Sequence, residues 1–209
     1  MKVLFWILIA ALCLSIGVYP LMYLFASGKI GLLQTKSDAL LSNGWWRLGF
    51  YAHTVCGGVA LSVGWTQFLS SWRNRYRGLH RVLGKLYVLT VCVSGLAAVC
   101  ISPQTSTGWV AGLGFGSLGV VWLYVTLQAY RSIRQGDLQR HERLMVYSYS
   151  ACFAAVTLRL WLPLLLGVFR LDYALAYPVV AWLCWVPNLL VAHLVTSRFA
   201  SRVTGGGND

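Results

Sequence analysis

The chain has 209 residues, of which 58% are hydrophobic and only 11% are charged, and its mean hydropathy is +0.66. A soluble domain is about 25% charged, so this composition excludes a water-soluble protein and a nucleic-acid role for the net charge of +12. Apolar runs of about 20 residues recur instead, which is the length that crosses a bilayer as a helix.

Six apolar segments predict an all-α fold, a polytopic membrane protein with six transmembrane helices. The spans cover about residues 3–25, 48–70, 86–102, 109–130, 144–169 and 178–197. Together they predict a single integral membrane domain over residues 1–209, a helical bundle with spans 2–5 as its core. Span 1 is interpreted as retained, because Tyr19, Pro20 and Tyr23 crowd the place where a signal peptide would need small residues for cleavage.

Three smaller features carry local predictions. The connection at residues 26–46 contains apolar residues that indicate a short helix lying on the membrane surface. Span 4 is rich in glycine, which predicts a face where another helix approaches closely. Six cysteines lie within apolar spans without a C-x-x-C pair, and we interpret them as small buried residues rather than disulfides or metal ligands.

The distribution of basic residues predicts the orientation. With both termini cytoplasmic, twelve of the 17 Lys and Arg residues lie on the inside, four lie outside, and Arg159 is left within a span. Cytoplasmic loops carry such an excess. We therefore expect a bacterial cytoplasmic (inner) membrane protein whose basic loops meet anionic lipid headgroups.

Arg159 is the most informative single residue, because it lies in the middle of the apolar stretch AAVTLRLWLPL. An ionisable residue inside a span is costly and marks a functional site by default. The five acids are predicted to lie outside the hydrocarbon: Asp38, Asp137, Glu142, Asp172 and Asp209. Arg159 is then either a structural hub for backbone carbonyls or the counter-ion of an anionic or carbonyl ligand, such as a haem propionate, a quinone oxygen or a lipid phosphate.

Polar residues of two other spans are predicted to join Arg159 in one ligand-binding pocket in the outer leaflet. His53 of span 2 lies at a depth similar to that of Arg159, counted at about 1.5 Å per residue, and Asn188 lies near the middle of span 6. Gln67 continues the helical stripe that starts at His53. The imidazole of His53 is interpreted as a proton-handling group or a partner for a quinone head group.

A second candidate site lies at the cytoplasmic edge, where His80 and His141 occupy equivalent ends of spans 3 and 5. A bis-histidine haem b needs two neutral imidazoles on adjacent helices and cationic groups for its propionates. The predicted cofactor-binding residues are therefore His80, His141, Arg77, Arg81, Arg140, Tyr87 and Met145. Two alternatives remain open: both histidines are polar helix ends, or they form a zinc site with His193.

The spacing between His141 and Arg159 predicts that the two residues lie along the same ridge, on one face of a helix. They are 18 residues apart, which is about five helical turns. Met145, Ser148 and Cys152 fall on the same stripe, which is less apolar than the opposite face and is expected to point into the bundle.

These residues carry a resemblance. His53 with Gly57, H-R-x-x-G-x-x-Y at residues 80–87, AAVTLRL around Arg159 and AWLCWVPNLL at residues 181–190 resemble a bacterial family of predicted membrane proteins, numbered twenty-three-oh-six among domains of unknown function. The resemblance implies an acid at the position of His193, which argues against His193 as an essential metal ligand. In layout the chain is similar to cytochrome b561-type helical haem proteins, which is an analogy of fold alone.

Two functions from different classes follow as hypotheses. The first is a haem-dependent membrane oxidoreductase that transfers electrons to or from a quinone, as a homo-oligomer or with a redox partner protein. The second is a non-enzymatic transporter or membrane assembly subunit that binds an anionic substrate or a lipid at Arg159. A zinc membrane hydrolase is a third option.

Overall fold

The computed structural model describes residues 2–25 and 29–204, with side chains for residues 4–25 and 29–197. Every regular element in these residues is helical, which confirms the all-α prediction. The side chains of Lys2, Arg198 and Arg202, which enter the predicted orientation, lie outside the described part of the chain, as does Asp209.

Eleven α-helices follow one another in the described residues. The first half contains α1 (Lys2–Val18), α2 (Met22–Phe25), α3 (Asp38–Ser42), α4 (Gly44–Gly64), α5 (Ser70–Arg75) and α6 (Arg77–Ile101). The second half contains α7 (Trp109–Arg134), α8 (Leu138–Cys152), α9 (Ala154–Gly167), α10 (Tyr173–Leu183) and α11 (Val186–Thr204). Short 3-10 helices lie between them at Tyr19–Leu21, Gly31–Thr35, Trp65–Phe68 and Ser102–Gln104.

Five helical segments of the described chain are long and apolar enough to cross a membrane. They are Leu4–Phe25, Arg77–Gln104, Trp109–Arg134, Leu138–Gly167 and Tyr173–Ser197. The predicted span 2 corresponds to α4, which is not among them. The apolar character of α4 is diluted by His53, Thr54 and five glycines, and its buried residues face neighbouring helices.

Glycines bring the helices together. Gly17 of α1 meets Gly58 of α4, where a Cβ on Gly58 would lie 2.2 Å from the Gly17 carbonyl oxygen. On α7, a Cβ on Gly114 would lie 2.9 Å from the Ala181 Cβ, and one on Gly119 would lie 3.3 Å from the Gly95 carbonyl oxygen. These contacts confirm the predicted packing face of span 4, because only a residue without a side chain fits there.

Two helices begin earlier than the apolar pattern suggested. Span 3 was expected from residue 86, yet α6 begins at Arg77, and α8 begins at Leu138 where Asp137 accepts a hydrogen bond from the Arg140 backbone N–H at 2.9 Å. Hydrophobicity marks the membrane boundary, whereas arginine and leucine extend a helix into water. His80 and His141 therefore lie inside helices and do not precede them.

The two C-terminal spans are interrupted, so the ridge from His141 to Arg159 is not one continuous helix. The breaks lie at Phe153 and at Cys184–Trp185. Pro187 begins the helix after the second break, a position where its missing N–H costs little. The predicted stripe still points inward, since Ser148 is fully buried and Cys152 nearly so.

Two smaller predictions can also be compared with the structure. The short helices Gly31–Thr35 and Asp38–Ser42 confirm helical structure in the connection after span 1. The six cysteines are all free, and Cys13, Cys152 and Cys184 are buried, but Cys100 is exposed.

Candidate ligand site around Arg159

Arg159 points into the protein and lacks an anionic partner. Its Nη1 donates to the backbone carbonyl of Ala155 at 2.8 Å, one turn back on the same helix. Its Cζ lies 4.9 Å from the centre of the Tyr19 ring, which is a cation–π contact. The side chain is half-buried, so the guanidinium is held between α9 and the end of the first span.

Every described carboxylate is engaged or placed elsewhere. Asp38 pairs with Lys29 at 2.7 Å, and Glu142 pairs with Arg73 at 2.8 Å. Asp137 caps α8, and Asp172 is exposed just before α10. The charge of Arg159 is therefore not compensated within the described residues.

Three tyrosines lie near this cation, and a fourth, Tyr173, stacks on one of them. Arg159 lies within electrostatic range of Tyr19, Tyr23 and Tyr177. The Tyr19 and Tyr23 rings pack edge to face at 5.6 Å, and the Tyr173 and Tyr177 rings stack at 5.0 Å. We name these residues the Arg159 cluster: Tyr19, Tyr23, Tyr173, Tyr177 and Arg159. The cluster joins the C-terminal end of span 1 to the first turns of α10.

The 3-10 helix Gly31–Thr35 covers the cluster. Gly31 has a φ of +50°, and a Cβ there would lie 2.8 Å from the Tyr19 hydroxyl and 2.9 Å from the Tyr23 hydroxyl. Glycine is therefore required at this position, both for its backbone conformation and for its close approach. Leu32 packs against the apolar cluster that contains Tyr177.

Lys36 fixes the end of this cover. Its Nζ donates to the backbone carbonyl of Gln104 at 2.8 Å and lies 5.9 Å from the centre of the Trp46 ring. The side chain is buried, and burial lowers the pKa of the Lys36 ammonium below its ordinary value of 10.5.

His53 is within electrostatic range of Arg159 and is bound to α6 through Ser94. Its Nδ1 lies 3.1 Å from the Ser94 carbonyl oxygen and 3.1 Å from the Ser94 hydroxyl, which itself donates to the His53 carbonyl at 2.8 Å. The structure thus places two of the predicted outer-pocket residues, His53 and Arg159, in one neighbourhood.

The other two predicted members lie apart from this neighbourhood. Asn188 donates to the backbone carbonyls of Ser150 at 3.2 Å and Cys184 at 2.9 Å, which lie beside the two helix breaks, and its amide is 3.1 Å from the Thr157 hydroxyl. Gln67 lies fourteen residues beyond His53 along the chain and lines a small cavity beside His80. No hydrogen bond among the described residues joins either side chain to Arg159.

The histidine pair at the other end of the bundle has suitable donor chemistry but little space. The Nδ1 of His141 lies 2.8 Å from the Ala129 carbonyl, so it carries the proton and leaves the Nε2 lone pair free. The cavity beside His80 is about 10 Å³, room for about one water molecule. His80 lines this cavity and His141 does not, so haem binding between the two histidines stays a prediction.

Tyr87, a predicted cofactor-binding residue, is buried between two helices. Its hydroxyl bonds to the Ser148 hydroxyl at 2.8 Å, which joins α6 to α8. Tyr87 and Ser148 each follow a candidate haem ligand, His80 or His141, by seven residues. Of the other predicted cofactor residues, Met145 packs against the central apolar cluster, whereas Arg77, Arg81 and Arg140 are exposed.

His193 does not join the other histidines. It is exposed on α11, and its Nδ1 lies 3.0 Å from the Tyr147 hydroxyl. Within the described ranges no three His, Cys, Asp or Glu side chains are grouped to hold a metal ion.

The tyrosines of the Arg159 cluster were missed in the sequence. They form two Tyr-x-x-x-Tyr pairs, Tyr19 with Tyr23 and Tyr173 with Tyr177. Residues four apart share a helix face. Two such pairs, at span ends that the structure brings together, were the sequence signal by which this cluster could have been found.

Residues 50–196 match the model of a family described as Predicted membrane protein (DUF2306). The match covers more than half of the chain. The chain belongs to this family. The matched range of this DUF2306 member includes His53, His80, His141 and Arg159, whereas Tyr19 and Tyr23 lie before it. No curated protein and no solved structure matches the chain, so the likeness to cytochrome b561-type proteins stays a prediction.

Proposed function

We propose that this DUF2306 protein is a membrane ligand-binding protein, acting as a transporter or an assembly subunit, whose Arg159 cluster holds an anionic ligand. The observation that carries the proposal is the guanidinium of Arg159, half-buried among tyrosines and without a described carboxylate partner. An uncompensated charge in hydrocarbon is costly. A bound anion removes that cost, and the planar guanidinium fork suits an oxyanion.

A purely structural role explains less of the geometry. Guanidinium has five N–H donors, and only one hydrogen bond of Arg159 to a protein acceptor occurs within the described residues. The Tyr19 ring stabilises the cation by its face and does not use the other donors. These free donors support a ligand that has several acceptor oxygens.

The test is lipid and anion binding by Arg159→Gln, with Arg47→Gln as a control that removes an exposed arginine. We expect purified wild type to retain an anionic lipid in native mass spectrometry, and Arg159→Gln to bind it at least about tenfold more weakly, the loss typical of a buried charge-assisted hydrogen bond. Arg47→Gln should bind like wild type. Equal binding by Arg159→Gln would leave Arg159 as a structural residue only.

A haem-dependent membrane oxidoreductase, with a quinone as electron partner, is the second candidate. The free Nε2 of His141, with exposed arginines nearby, supports it, while the small cavity ranks it below the first. An absorption spectrum after haem-replete expression separates the two. A Soret band that His141→Ala removes would favour the redox function, and a colourless protein with Arg159-dependent binding would favour the first.

We propose further that α4 is a sixth span and that both termini face the cytoplasm of a bacterial inner membrane. Trp46, Phe50, Ala60 and Leu61 of α4 are buried against other helices. A helix surrounded by protein can carry His53 and several glycines across a membrane, because those residues do not meet lipid.

A further inference from the structure

Arg159 provides more hydrogen-bond donors than its protein partners use. Its guanidinium has five N–H groups, and one of its nitrogens donates to the Ala155 carbonyl at 2.8 Å. The hydroxyl of Tyr173 is buried near Thr35 and Tyr177 and does not accept from this cation. The remaining N–H groups of Arg159 therefore favour a ligand with acceptor oxygens.

His53 contributes the opposite property, an atom that can only accept. The single proton of the Ser94 hydroxyl goes to the His53 carbonyl oxygen at 2.8 Å. The Ser94 carbonyl and hydroxyl oxygens therefore both turn lone pairs toward the His53 Nδ1, at 3.1 Å each. Nδ1 must then carry the proton, and the Nε2 of the neutral imidazole is left with a lone pair.

The positive charge of Arg159 and the lone pair of His53 Nε2 together narrow the chemical class of the ligand. One cation, Arg159, favours a ligand with one negative charge, because a second charge would be buried without a partner. The lone pair at His53 Nε2 favours a ligand that also offers a hydroxyl. A singly protonated phosphate monoester has both features, whereas a carboxylate or a phosphate diester has no acidic hydroxyl to donate.

We propose that the ligand of the Arg159 cluster is a singly protonated phosphate monoester, with its oxyanion at Arg159 and its P–OH donated to His53 Nε2. This inference rests on the proposed function and adds the class of the ligand. His53 is then the residue that distinguishes a monoester from a diester. The phosphate comes either from a lipid headgroup or from a phosphate in solution, and both present the same chemistry.

The experiment measures binding of two lipids that differ at the phosphate: short-chain phosphatidic acid, a monoester, and phosphatidylmethanol of the same chain length, a diester without a hydroxyl. We expect the full-length wild-type protein in detergent to bind phosphatidic acid about tenfold more tightly, since the diester leaves His53 Nε2 unpaired. His53→Leu should bind both lipids equally, and His53→Gln, which keeps an acceptor oxygen, should restore part of the preference. His193→Leu is the matched control, because it removes an exposed histidine of another helix.

The outcomes separate this inference from the proposed function. Binding that persists in Arg159→Gln overturns both. Binding that needs Arg159 but shows no preference in wild type, or a preference that survives in His53→Leu, overturns the monoester inference alone. The comparison of the two lipids on the wild-type protein tests the monoester inference even if His53→Leu does not fold. Added inorganic phosphate assigns the source: displacement of the lipid indicates a ligand from solution, and retention indicates a lipid headgroup.

Discussion

Single hydroxyl groups set the direction of a closed hydrogen-bond ring in the middle of the bundle. Thr126 donates to the Trp122 carbonyl at 2.7 Å, so its oxygen accepts from Ser148 at 2.6 Å. Ser148 in turn accepts from Tyr87 at 2.8 Å, and Tyr87 accepts from the Trp122 indole N–H at 3.4 Å. Each hydroxyl in the ring donates one hydrogen bond and accepts another, which is the condition under which a buried polar network stabilises a core.

Tyr87→Phe should break this ring and lower the free energy of unfolding. The change leaves the Ser148 hydroxyl oxygen and the Trp122 N–H short of a partner, which costs about 1–3 kcal/mol for a buried group. Denaturation in detergent measures the loss, and Tyr124→Phe on the exposed face of α7 is the control. An unchanged midpoint in Tyr87→Phe would show that the ring contributes nothing to stability.

Lys36 predicts how the cover over the Arg159 cluster responds to pH. Its pKa is lowered by burial when the cover is closed and returns toward 10.5 when the cover opens into water. Between these two pKa values the open state binds a proton that the closed state does not, so closure becomes more favourable as pH rises. Above 10.5 both states are neutral and the dependence ends.

A spin label at the exposed Gln34, with the exposed Cys100 replaced, reports this change as a falling mobility between neutral pH and 10.5. In Lys36→Arg the guanidinium stays protonated, so the mobility should stay constant. Lys29 and Asp38 are present in both proteins, which isolates the contribution of Lys36. Identical profiles in the two proteins would contradict the prediction.

At the scale of elements, backbone contacts between helices decide the packing of the first span. Gly17 and Gly58 let α1 and α4 touch through their backbones. Small residues serve this purpose in membranes, where apolar burial alone gives no preference for protein over lipid. The same contact holds Tyr19 and Tyr23 at the level of Arg159.

Gly58→Ala should separate α1 from α4. The new Cβ would lie 2.2 Å from the Gly17 carbonyl oxygen, which cannot move as a side chain can. Overpacking of this kind costs about 1–3 kcal/mol, and the thermal midpoint in detergent should fall. Gly44→Ala is the control, because nothing lies within 4 Å of its Cβ position. Equal midpoints for the two variants would show that the contact is not essential.

At the scale of the whole molecule, the number of spans decides where the termini lie. Five spans place the termini on opposite sides, whereas six place them on the same side. The described basic loops lie at residues 71–85 and 131–143, where arginines are exposed. Both stretches lie on the same side in either arrangement, and the positive-inside rule places that side in the cytoplasm. The position of the N-terminus therefore distinguishes six spans, which place it inside, from five, which place it outside.

Reporter fusions test this arrangement. We expect a fluorescent protein at either terminus to report a cytoplasmic position, and alkaline phosphatase inserted at Thr107, between α6 and α7, to be active outside. An N-terminus outside, with a cytoplasmic C-terminus, would instead show an odd number of spans and remove α4 as a crossing helix.

Much of the architecture could be predicted because hydrophobicity follows the membrane directly. The apolar runs gave five of the spans, and the glycines of span 4 indicated a packing face. The helix ends were less well predicted, because α6 and α8 continue past the apolar region into water. The grouping of His53 with Asn188 rested on depth along separate helices, and depth does not give the rotation of each helix. Gln67 was grouped by its helical stripe with His53, but fourteen residues along a helix correspond to about 21 Å.

The sequence by itself determined that Arg159 lies in an apolar span with few acids available to pair with it, because charge and hydrophobicity are properties of the residues. Only the tertiary structure decided which groups meet Arg159 and which imidazole nitrogen of His53 is free. Those facts depend on how six segments rotate and pack, and a hydrogen bond exists only when both partners reach the same few ångströms.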